Sequence, residues 1–310
     1  MSLRIAAGSA HPGLAGAVAK LLGTEPVPGE LARFPDGELR PAVGHLRGGD
    51  VYVIQPTGPP VSDHFLELFL LLDACRRAGA QRITAVVPYF GYARQDRRSQ
   101  PGEPVGARVV ADALAASGAQ RLVVIDPHTV ALEAMCGMPV EMLTAVPVLA
   151  QALAPDVPGG AVIVAPDLGA VKLAERYASV LQRPVAVVRK TRITGAIVRA
   201  EEIAGDVAGR PAVIVDDMIS TGATIEAAAQ VVRAHGGTCH TVAATHGLLV
   251  GGAGQRLRQL PTSRVVTTDS LPQGHTSSPA LHAESVAPLL ADAISRLHHD
   301  QPLAGLRAPA

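Results

Sequence analysis

The stretch Ala212-Val-Ile-Val-Asp-Asp-Met-Ile-Ser-Thr-Gly-Ala-Thr-Ile225 decides how the rest of the chain is interpreted. It opens with an apolar run typical of a buried strand and then supplies two adjacent carboxylates, Asp216 and Asp217. A short loop from Ser220 to Thr224 follows, before a segment of helical periodicity that runs to Ala234. The stretch therefore predicts a strand, a tight loop and a helix, in that order.

The loop has the chemistry of a phosphate site. Backbone N–H groups at a helix start, together with Gly222 and the hydroxyls of Thr221 and Thr224, can form a nest around a phosphate. Asp216 and Asp217 beside it can accept hydrogen bonds from vicinal hydroxyls, which describes a receptor for a pentose 5-phosphate. The alternative is a purely structural role, because Ser, Thr and Asp are common helix caps. The coincidence of acids, loop, strand and helix favours binding.

The rest of the chain alternates short apolar runs with segments of helical periodicity. Strands are predicted at Leu3–Ala7, Val51–Gln55, Arg82–Val87, Arg121–Ile125, Ala161–Ala165, Val185–Val188, Ala212–Val215, His240–Thr245 and Arg264–Thr267. Helices are predicted at Pro12–Leu22, Asp63–Ala78, Pro104–Ser117, Val146–Leu153, Gly169–Leu181 and Gly222–His235. Apolar strands separated by amphipathic helices are typical of parallel sheets covered on both faces, so the predicted fold class is α/β.

A local echo indicates repeated units. Arg77–Ile83 and Ala116–Leu122 each end a helix with a Gly and lead into a strand, and Ala234–His240 has the same form. Two of these units lie in the first half of the chain and one in the second. The predicted organisation is two similar α/β domains, 1–145 and 146–299, followed by a loose tail, 300–310.

Composition narrows the class of protein. Hydrophobic residues make up 48% of the 310 residues and charged ones 17%, which is typical of a globular protein. Lys+Arg and Asp+Glu number 27 each, a balance that disfavours a nucleic-acid partner. Three scattered cysteines indicate a reducing compartment, and no signal-peptide pattern or long apolar run is present. We therefore predict a cytoplasmic protein with no membrane and no nucleic-acid partner.

Two polar segments are candidates for nucleotide binding. In the turn Arg33-Phe-Pro-Asp-Gly-Glu-Leu39 an aromatic ring and two carboxylates could stack on and hydrogen-bond a purine, although a plain surface turn would have the same residues. The segment Pro88–Arg98 leaves a predicted strand and brings arginines to the carboxyl edge of the sheet, where open α/β sheets bind ligands. Guanidinium forks also suit polyphosphate oxygens.

Two further residues follow predicted strands and could serve a metal. His128, in Asp126-Pro-His-Thr129, is available to a metal or a phosphate, although a lone His more often has a structural role. Asp167 stands at a strand end before a Gly-containing helix start. A carboxylate suits Mg²⁺, which keeps most of its waters and shares its other positions with substrate phosphates.

With Val188-Arg-Lys-Thr-Arg192, these segments resemble the ribose-phosphate pyrophosphokinase family over about residues 1–297. The 220–224 loop alone also resembles that of phosphoribosyltransferases. Phe-x-Asp-Gly-Glu, Tyr-Ala-Arg-Gln-Asp-Arg and Asp-x-His together favour the first family. The resemblance implies two tandem phosphoribosyltransferase-like domains, each a parallel-rich sheet flanked by helices.

The resemblance also implies a role for each matched position. ATP binding would fall to Phe34, Asp36, Glu38, Arg94, Gln95, Asp96 and His128. Metal binding would fall to His128 and Asp167, and catalysis to Lys190 and Arg192 of a mobile flap. Ribose 5-phosphate binding would fall to Asp216, Asp217, Ser220, Thr221, Gly222, Ala223 and Thr224.

The implied reaction transfers the diphosphate group of Mg-ATP to the 1-hydroxyl of ribose 5-phosphate. Its products are 5-phosphoribosyl 1-diphosphate, for nucleotide biosynthesis, and AMP. The cofactor would be Mg²⁺, and the protein a homo-oligomer whose active site is shared across a subunit interface. Two alternatives stay open: a non-catalytic regulatory subunit of a synthetase, and a nucleobase phosphoribosyltransferase. The cationic flap residues disfavour the first, and the duplicated length disfavours the second.

Overall fold

A computed structural model describes residues 1–194, 197–272 and 281–307, with the side chains of residues 190–201 outside the description. The chain forms two compact units. The first comprises Met1–Thr144, Ser270–Pro272 and Val286–Ala310, and the second comprises Ala145–Asp269 and Gln273–Ser285. Among the described residues, no helix combines the length and apolarity needed to cross a membrane.

The first unit is built on a parallel sheet of five strands in the order β1-β4-β5-β6-β7. A separate antiparallel hairpin, β2–β3, lies outside this sheet. The strands of the first unit, hairpin included, are β1 (Leu3–Ala7), β2 (Gly29–Arg33), β3 (Leu39–Val43), β4 (Asp50–Ile54), β5 (Arg82–Val87), β6 (Arg121–Ile125) and β7 (Val140–Leu143). The helices of its Met1–Thr144 segment are α1 (Pro12–Leu21), α2 (Val61–Arg77), α3 (Gly106–Ser117) and α4 (Leu132–Met135).

The boundaries in this unit follow from local chemistry. Helix α1 begins at Pro12, a residue suited to a first helical position, and His11 Nδ1 accepts a hydrogen bond from the Leu14 N–H at 3.3 Å. Helix α3 ends at Ser117 and is followed by Gly118, which has a left-handed φ of 117°. Gly79 and Gly236, the other two glycines of the sequence echo, also have positive φ. The three predicted helix ends are therefore confirmed as left-handed glycine positions.

The second unit is built on seven strands in the order β10-β9-β8-β11-β12-β13-β14, all parallel to their neighbours except β10. The strands are β8 (Val162–Ala165), β9 (Val185–Thr194), β10 (Ile197–Ala204), β11 (Pro211–Ile219), β12 (Thr238–Gly247), β13 (Arg264–Thr268) and β14 (Leu281–Glu284). The helices are α5 (Val146–Leu153), α6 (Val171–Leu181), α7 (Ala223–Ala234) and α8 (Ala253–Gln259).

Both faces of the centre of this second sheet are buried. Along β11 successive side chains alternate between two apolar clusters, with Ile214 in one and Val213 and Val215 in the other. Helix α7 contributes Ile225 to the first cluster, and helix α6 contributes Tyr177 to the second. Burial on both faces explains the uninterrupted apolar runs in the sequence, and the predicted α/β class is confirmed.

The end of the chain differs from the prediction. Helix α9 (Ala287–His298) belongs to the first unit, although residues 146–299 were predicted to form the second domain. The tail is not loose over its described part, because Leu303 is 6% exposed and the Thr144 N–H donates to Leu306 O at 2.9 Å. Both differences arise from contacts between residues far apart in the sequence, which short sequence patterns do not reveal.

A buried ionic cluster attaches α9 to the first sheet. The fully buried carboxylate of Asp50 accepts hydrogen bonds from Arg82 Nε at 3.0 Å and Nη2 at 2.5 Å, and its Oδ2 lies 2.7 Å from His298 Nδ1. Burial raises the pKa of Asp50, but the hydrogen bonds from Arg82 and His298 outweigh burial and hold that pKa below its usual value. The cluster therefore stabilises the docked helix only while Asp50 is ionised.

Candidate active site

The two acids of the deciding stretch lie inside a central strand of the second unit. The sequence predicted a strand ending at Val215, with Asp216 and Asp217 after it, whereas β11 continues to Ile219. The extension occurs because β11 stays paired with the longer β12, with Asp216 opposite Ala244 and Ile219 opposite Gly247. Both aspartates are partly exposed, so hydroxyl groups of a ligand can reach them.

The predicted loop connects β11 directly to helix α7. Gly222 caps the helix with φ 79° and ψ −3°, and the Glu226 N–H donates to Gly222 O at 2.9 Å in the first helical bond. Gly222 has no side chain to cap the helix, and the Ala223 N–H donates a long hydrogen bond to Thr221 Oγ1 at 3.5 Å. The N–H groups of a first helical turn have no intrahelical acceptor, so this end of α7 suits an anion.

The segment after β12 holds the loop in place. The N–H groups of Leu248 and Leu249 both donate to Ile219 O at 3.0 Å, and the Val250 N–H donates to Ser220 O at the same distance. The start of the loop is thus fixed by backbone bonds from a distant part of the sequence. Sequence reasoning missed this support, because backbone donors have no residue signature.

Three carboxylates of the second unit influence one another. The Asp217 N–H donates to Asp216 Oδ1 at 2.9 Å, and Asp167, just after β8, accepts from the Gly169 N–H at 2.9 Å. Burial raises the pKa of Asp216 well above its usual value, and the negative charges of Asp217 and Asp167 raise it further. The three carboxylates therefore lie close enough to interact electrostatically, and ligand hydroxyls that donate to them would stabilise their charge.

In the first unit, the predicted nucleotide residues follow β5. Arg94 and Gln95 are exposed and Asp96 is partly exposed, whereas the preceding Tyr89 and Phe90 are buried. The Gln95 N–H donates to Tyr92 O at 2.8 Å, and the Ala107 N–H donates to Gln95 O at 3.2 Å. These backbone bonds fix the segment that carries the exposed side chains against the start of α3.

A glycine permits this loop to run close to the segment that joins β4 to α2. A Cβ on Gly91 would lie 2.7 Å from Thr57 O and 2.9 Å from Val61 Cγ1, closer than real contacts allow. His128, which is exposed, follows β6, the neighbour of β5 in the same parallel sheet. The two loops therefore emerge at the same carboxyl edge, where ligands bind in such sheets.

The predicted base-binding turn joins β2 to β3. The Phe34 N–H donates to Glu38 O at 2.9 Å, and the Glu38 N–H donates to Asp36 Oδ1 at 3.1 Å. The ring of Phe34 is 45% exposed, and the Arg40 guanidinium lies 5.2 Å from its centroid. An exposed aromatic ring beside two carboxylates has the groups needed to stack on a base and accept its amino hydrogens.

The predicted metal residues lie in different units, and the side chains of the predicted flap lie outside the described residues. His128 belongs to the first unit and Asp167 to the second. Over residues 1–194, 197–272 and 281–307, no group of three or more His, Cys, Asp or Glu has the arrangement of a metal centre. Lys190 and Arg192 lie in β9 opposite Ala200 and Val198, and their side chains fall outside the described set.

The fold and the β11–α7 loop define the class of protein. It is an α/β protein with two phosphoribosyltransferase-like sheets, and the loop lies at a strand–helix junction of the second unit. Sequence comparison agrees. Residues 3–118 match the N-terminal domain of ribose phosphate pyrophosphokinase, and residues 198–307 match the phosphoribosyl synthetase-associated domain.

Individual relatives give the same result over nearly the whole chain. The ribose-phosphate pyrophosphokinase of Rhodopirellula baltica is 40% identical, with 98% of each chain covered. That of Caldanaerobacter subterraneus is 39% identical over 96% of this chain and 95% of its own. The crystal structure of phosphoribosylpyrophosphate synthetase from Mycobacterium smegmatis superposes with a TM-score of 0.91 at 36% identity, covering 97% of this chain and 100% of that one. The chain belongs to the ribose-phosphate pyrophosphokinase family, and the resemblance inferred from its motifs is confirmed.

Proposed function

We propose that the chain transfers the diphosphate group of Mg-ATP to the 1-hydroxyl of ribose 5-phosphate. The hydroxyl oxygen bonds to the β-phosphorus, the bond from that phosphorus to the α-phosphate oxygen breaks, and AMP leaves as the hydroxyl proton is released. The product, 5-phosphoribosyl 1-diphosphate, serves nucleotide biosynthesis. The observation that carries the proposal is the β11–α7 loop, with two acids before a helix that begins directly after Gly222, in a chain of this family.

The proposed sugar site uses the residues of that loop. Asp216 and Asp217 accept hydrogen bonds from the ribose hydroxyls. The segment from Ser220 through Thr221, Gly222 and Ala223 to Thr224 binds the 5-phosphate through N–H groups and hydroxyls. The left-handed backbone at Gly222 supports this role, because it turns the chain sharply at the point where the helix begins.

The proposed ATP site uses residues of the first unit. Arg94, Gln95 and Asp96, together with His128, bind the nucleotide at the carboxyl edge of the sheet. Phe34, Asp36 and Glu38 contact the adenine of a neighbouring subunit, so the active site is shared in a homo-oligomer. The exposure of the Phe34 ring supports this, since a large exposed aromatic on a hairpin suits a partner's ligand.

For catalysis we assign Lys190 and Arg192 to neutralising charge that develops on the transferred group. Phosphoryl-type transfers depend mainly on positioning and charge neutralisation, and cationic side chains supply the second.

For the metal, Asp167 is the proposed protein ligand in the second unit and His128 in the first. Carboxylate oxygens suit a hard divalent cation, and Mg²⁺ bound with ATP would supply charge neutralisation at the phosphate oxygens.

We also propose a cytoplasmic location. Cys75, Cys136 and Cys239 are all unpaired, and two of them are buried, as suits a reducing compartment.

A stoichiometric assay tests the proposed function. Pure protein is incubated with ribose 5-phosphate and Mg-ATP, and AMP and 5-phosphoribosyl 1-diphosphate are quantified together. Equal amounts of both are expected. A regulatory subunit would form neither, and a nucleobase phosphoribosyltransferase would instead consume 5-phosphoribosyl 1-diphosphate when a base is added. Either of those results would contradict the proposal.

A further inference from the structure

An arginine outside the proposed sugar loop contacts it from a neighbouring helix. Arg256 lies in α8, and its Nη1 donates to Thr221 O and to Gly251 O, each at 3.0 Å. Its Nε lies 3.5 Å from Oε2 of Glu226 in the first turn of α7. One guanidinium therefore joins the loop to the starts of two helices.

The bond to Thr221 fixes the direction of the next N–H group. In a planar trans peptide the carbonyl and the following N–H point in opposite directions. Because Arg256 holds the carbonyl of Thr221, the N–H of Gly222 points away from the guanidinium. Within the described part of the chain this N–H meets no acceptor, so it stays available to a ligand.

We infer that Arg256 is a positioning residue for ribose 5-phosphate: it orients the Thr221–Gly222 peptide so that the N–H of Gly222 donates to the 5-phosphate. This inference rests on the proposed function, since it concerns how the proposed sugar loop is held. Arg256 itself need not touch the substrate.

Close packing makes the contact a fixed one. A Cβ on Gly222 would lie 3.7 Å from Arg256 Cβ and 3.8 Å from Ala253 Cα, so α8 packs directly against the loop. A Cβ on Gly251 would come within 3.3 Å of Thr221 Cγ2, a tight approach. Glycine at position 251, which has φ 58°, therefore lets the start of α8 approach the loop closely enough for Arg256 to reach its carbonyl.

A rival explanation is that Arg256 merely neutralises Glu226. The two side chains are 38% and 35% exposed and their closest atoms are 3.5 Å apart, a geometry in which an ion pair contributes little. The bonds to the carbonyls are shorter and charge-assisted, which makes them the stronger interaction. The expected effect of Arg256 on ribose 5-phosphate binding therefore comes from its hydrogen bond to the Thr221 carbonyl.

The test is a set of variants assayed for KM, kcat and ribose 5-phosphate binding by calorimetry. Arg256→Met removes the donors at similar length and is expected to raise the KM for ribose 5-phosphate about tenfold, the size of one lost charge-assisted bond. The KM for ATP should be unchanged. Arg256→Lys should recover most of the loss, because an ammonium can also donate to the carbonyl of Thr221.

Two controls separate positioning from fold stability and from charge. Arg258→Met removes an exposed arginine of the same helix and should leave the KM for ribose 5-phosphate at the wild-type value. Glu226→Gln should leave the wild-type KM for ribose 5-phosphate unchanged. Added to Arg256→Met, it should leave the raised KM of that variant unchanged. If the combined variant returned to wild-type KM, neutralisation of Glu226 would be the cause and the inference would be overturned.

The outcomes also distinguish this inference from the proposed function. A wild-type enzyme that makes AMP and 5-phosphoribosyl 1-diphosphate, with an Arg256→Met variant of equal KM and equal ribose 5-phosphate affinity, overturns the inference alone. A wild-type protein that binds no ribose 5-phosphate overturns both. Weaker binding of ribose 5-phosphate by the variant, with unchanged weak binding of ribose, supports the role at the phosphate.

Discussion

The substitution Gly222→Ala tests whether the sugar loop depends on its backbone conformation. Gly222 has φ 79°, in the left-handed region, which costs an L-residue about 1–2 kcal/mol. Space does not add to this cost, because the new Cβ would meet its nearest atoms at 3.7, 3.8 and 3.9 Å, ordinary van der Waals distances. The perturbation is therefore backbone strain of a known size.

That strain can be expressed in two measurable ways. If the loop keeps its conformation, the free energy of unfolding falls by the full strain. If the loop relaxes in the free protein, the strain reappears when ribose 5-phosphate restores the conformation, and KM rises. The two losses, both written as free energies, should add to about 1–2 kcal/mol, or a factor of about 5–30 when all of it falls on KM.

The assay combines steady-state KM for ribose 5-phosphate at saturating ATP with denaturant unfolding of the same preparation. Gly159→Ala is the matched control in the same unit, since Gly159 is exposed, has no left-handed φ and has no atom within 4 Å of an added Cβ. It should leave KM unchanged and the free energy of unfolding equal or slightly higher. A Gly222→Ala variant with wild-type KM and wild-type stability would refute the reasoning.

Three further substitutions test other parts of the molecule. Lys190→Ala is expected to depress kcat far more than ATP affinity, because its charge is needed mainly in the transition state; AMP formation at the wild-type rate would rule out the catalytic assignment. Asp217→Ala should raise the KM for ribose 5-phosphate, and an unchanged half-saturation value would count against the sugar-site assignment. Asp50→Asn should lower the free energy of unfolding by about 3 kcal/mol at pH 7, since it leaves Arg82 without its buried partner. Because the pKa of Asp50 is lowered in the folded protein, its stabilising effect in the wild type is complete above about pH 4 and is lost as pH falls further. The free energies of unfolding of the wild type and Asp50→Asn, measured with denaturant, should therefore converge at low pH. A difference that stayed constant with pH would contradict the role of the cluster.

Much of the fold was predictable because buried parallel strands have a local signature. The predicted bounds of β1, β5 and β6 match those of the structure, as does helix α5. Each of these strands is a short apolar run, and the glycines that end the preceding helices of β5 and β6 mark where those strands follow. Local propensity, burial and turn chemistry agree at these positions, so sequence patterns suffice.

The parts that sequence reasoning missed depend on distant partners. Strands β2 and β3 are largely exposed or partly exposed and lack an apolar run, so they are defined by pairing with each other. Helix α9 joins the first unit through the contact of His298 with Asp50, 248 positions earlier in the chain. The extension of β11 through its two aspartates likewise follows from its pairing with β12.

The candidate site was only partly predictable, because some of its contacts also come from residues far away in the sequence. The loop from Ser220 to Thr224 follows from its own residues, and the structure has it at the expected strand–helix junction. Its support by Val250 and Arg256 was not predictable, because one uses a backbone N–H and the other an arginine with no motif around it. Residues that bind have a chemical signature, whereas residues that position them are recognised only once their contacts are known.

The central claim is that a diphosphate group moves intact to ribose 5-phosphate, and ATP radiolabelled at the β-phosphorus tests it most directly. After incubation with ribose 5-phosphate and Mg²⁺, the products are separated and counted. The account predicts that all transferred label appears in 5-phosphoribosyl 1-diphosphate and none in the adenine nucleotide product, which is AMP. Label recovered in ADP, with a ribose bisphosphate as the other product, would show transfer of a single phosphoryl group and contradict the account.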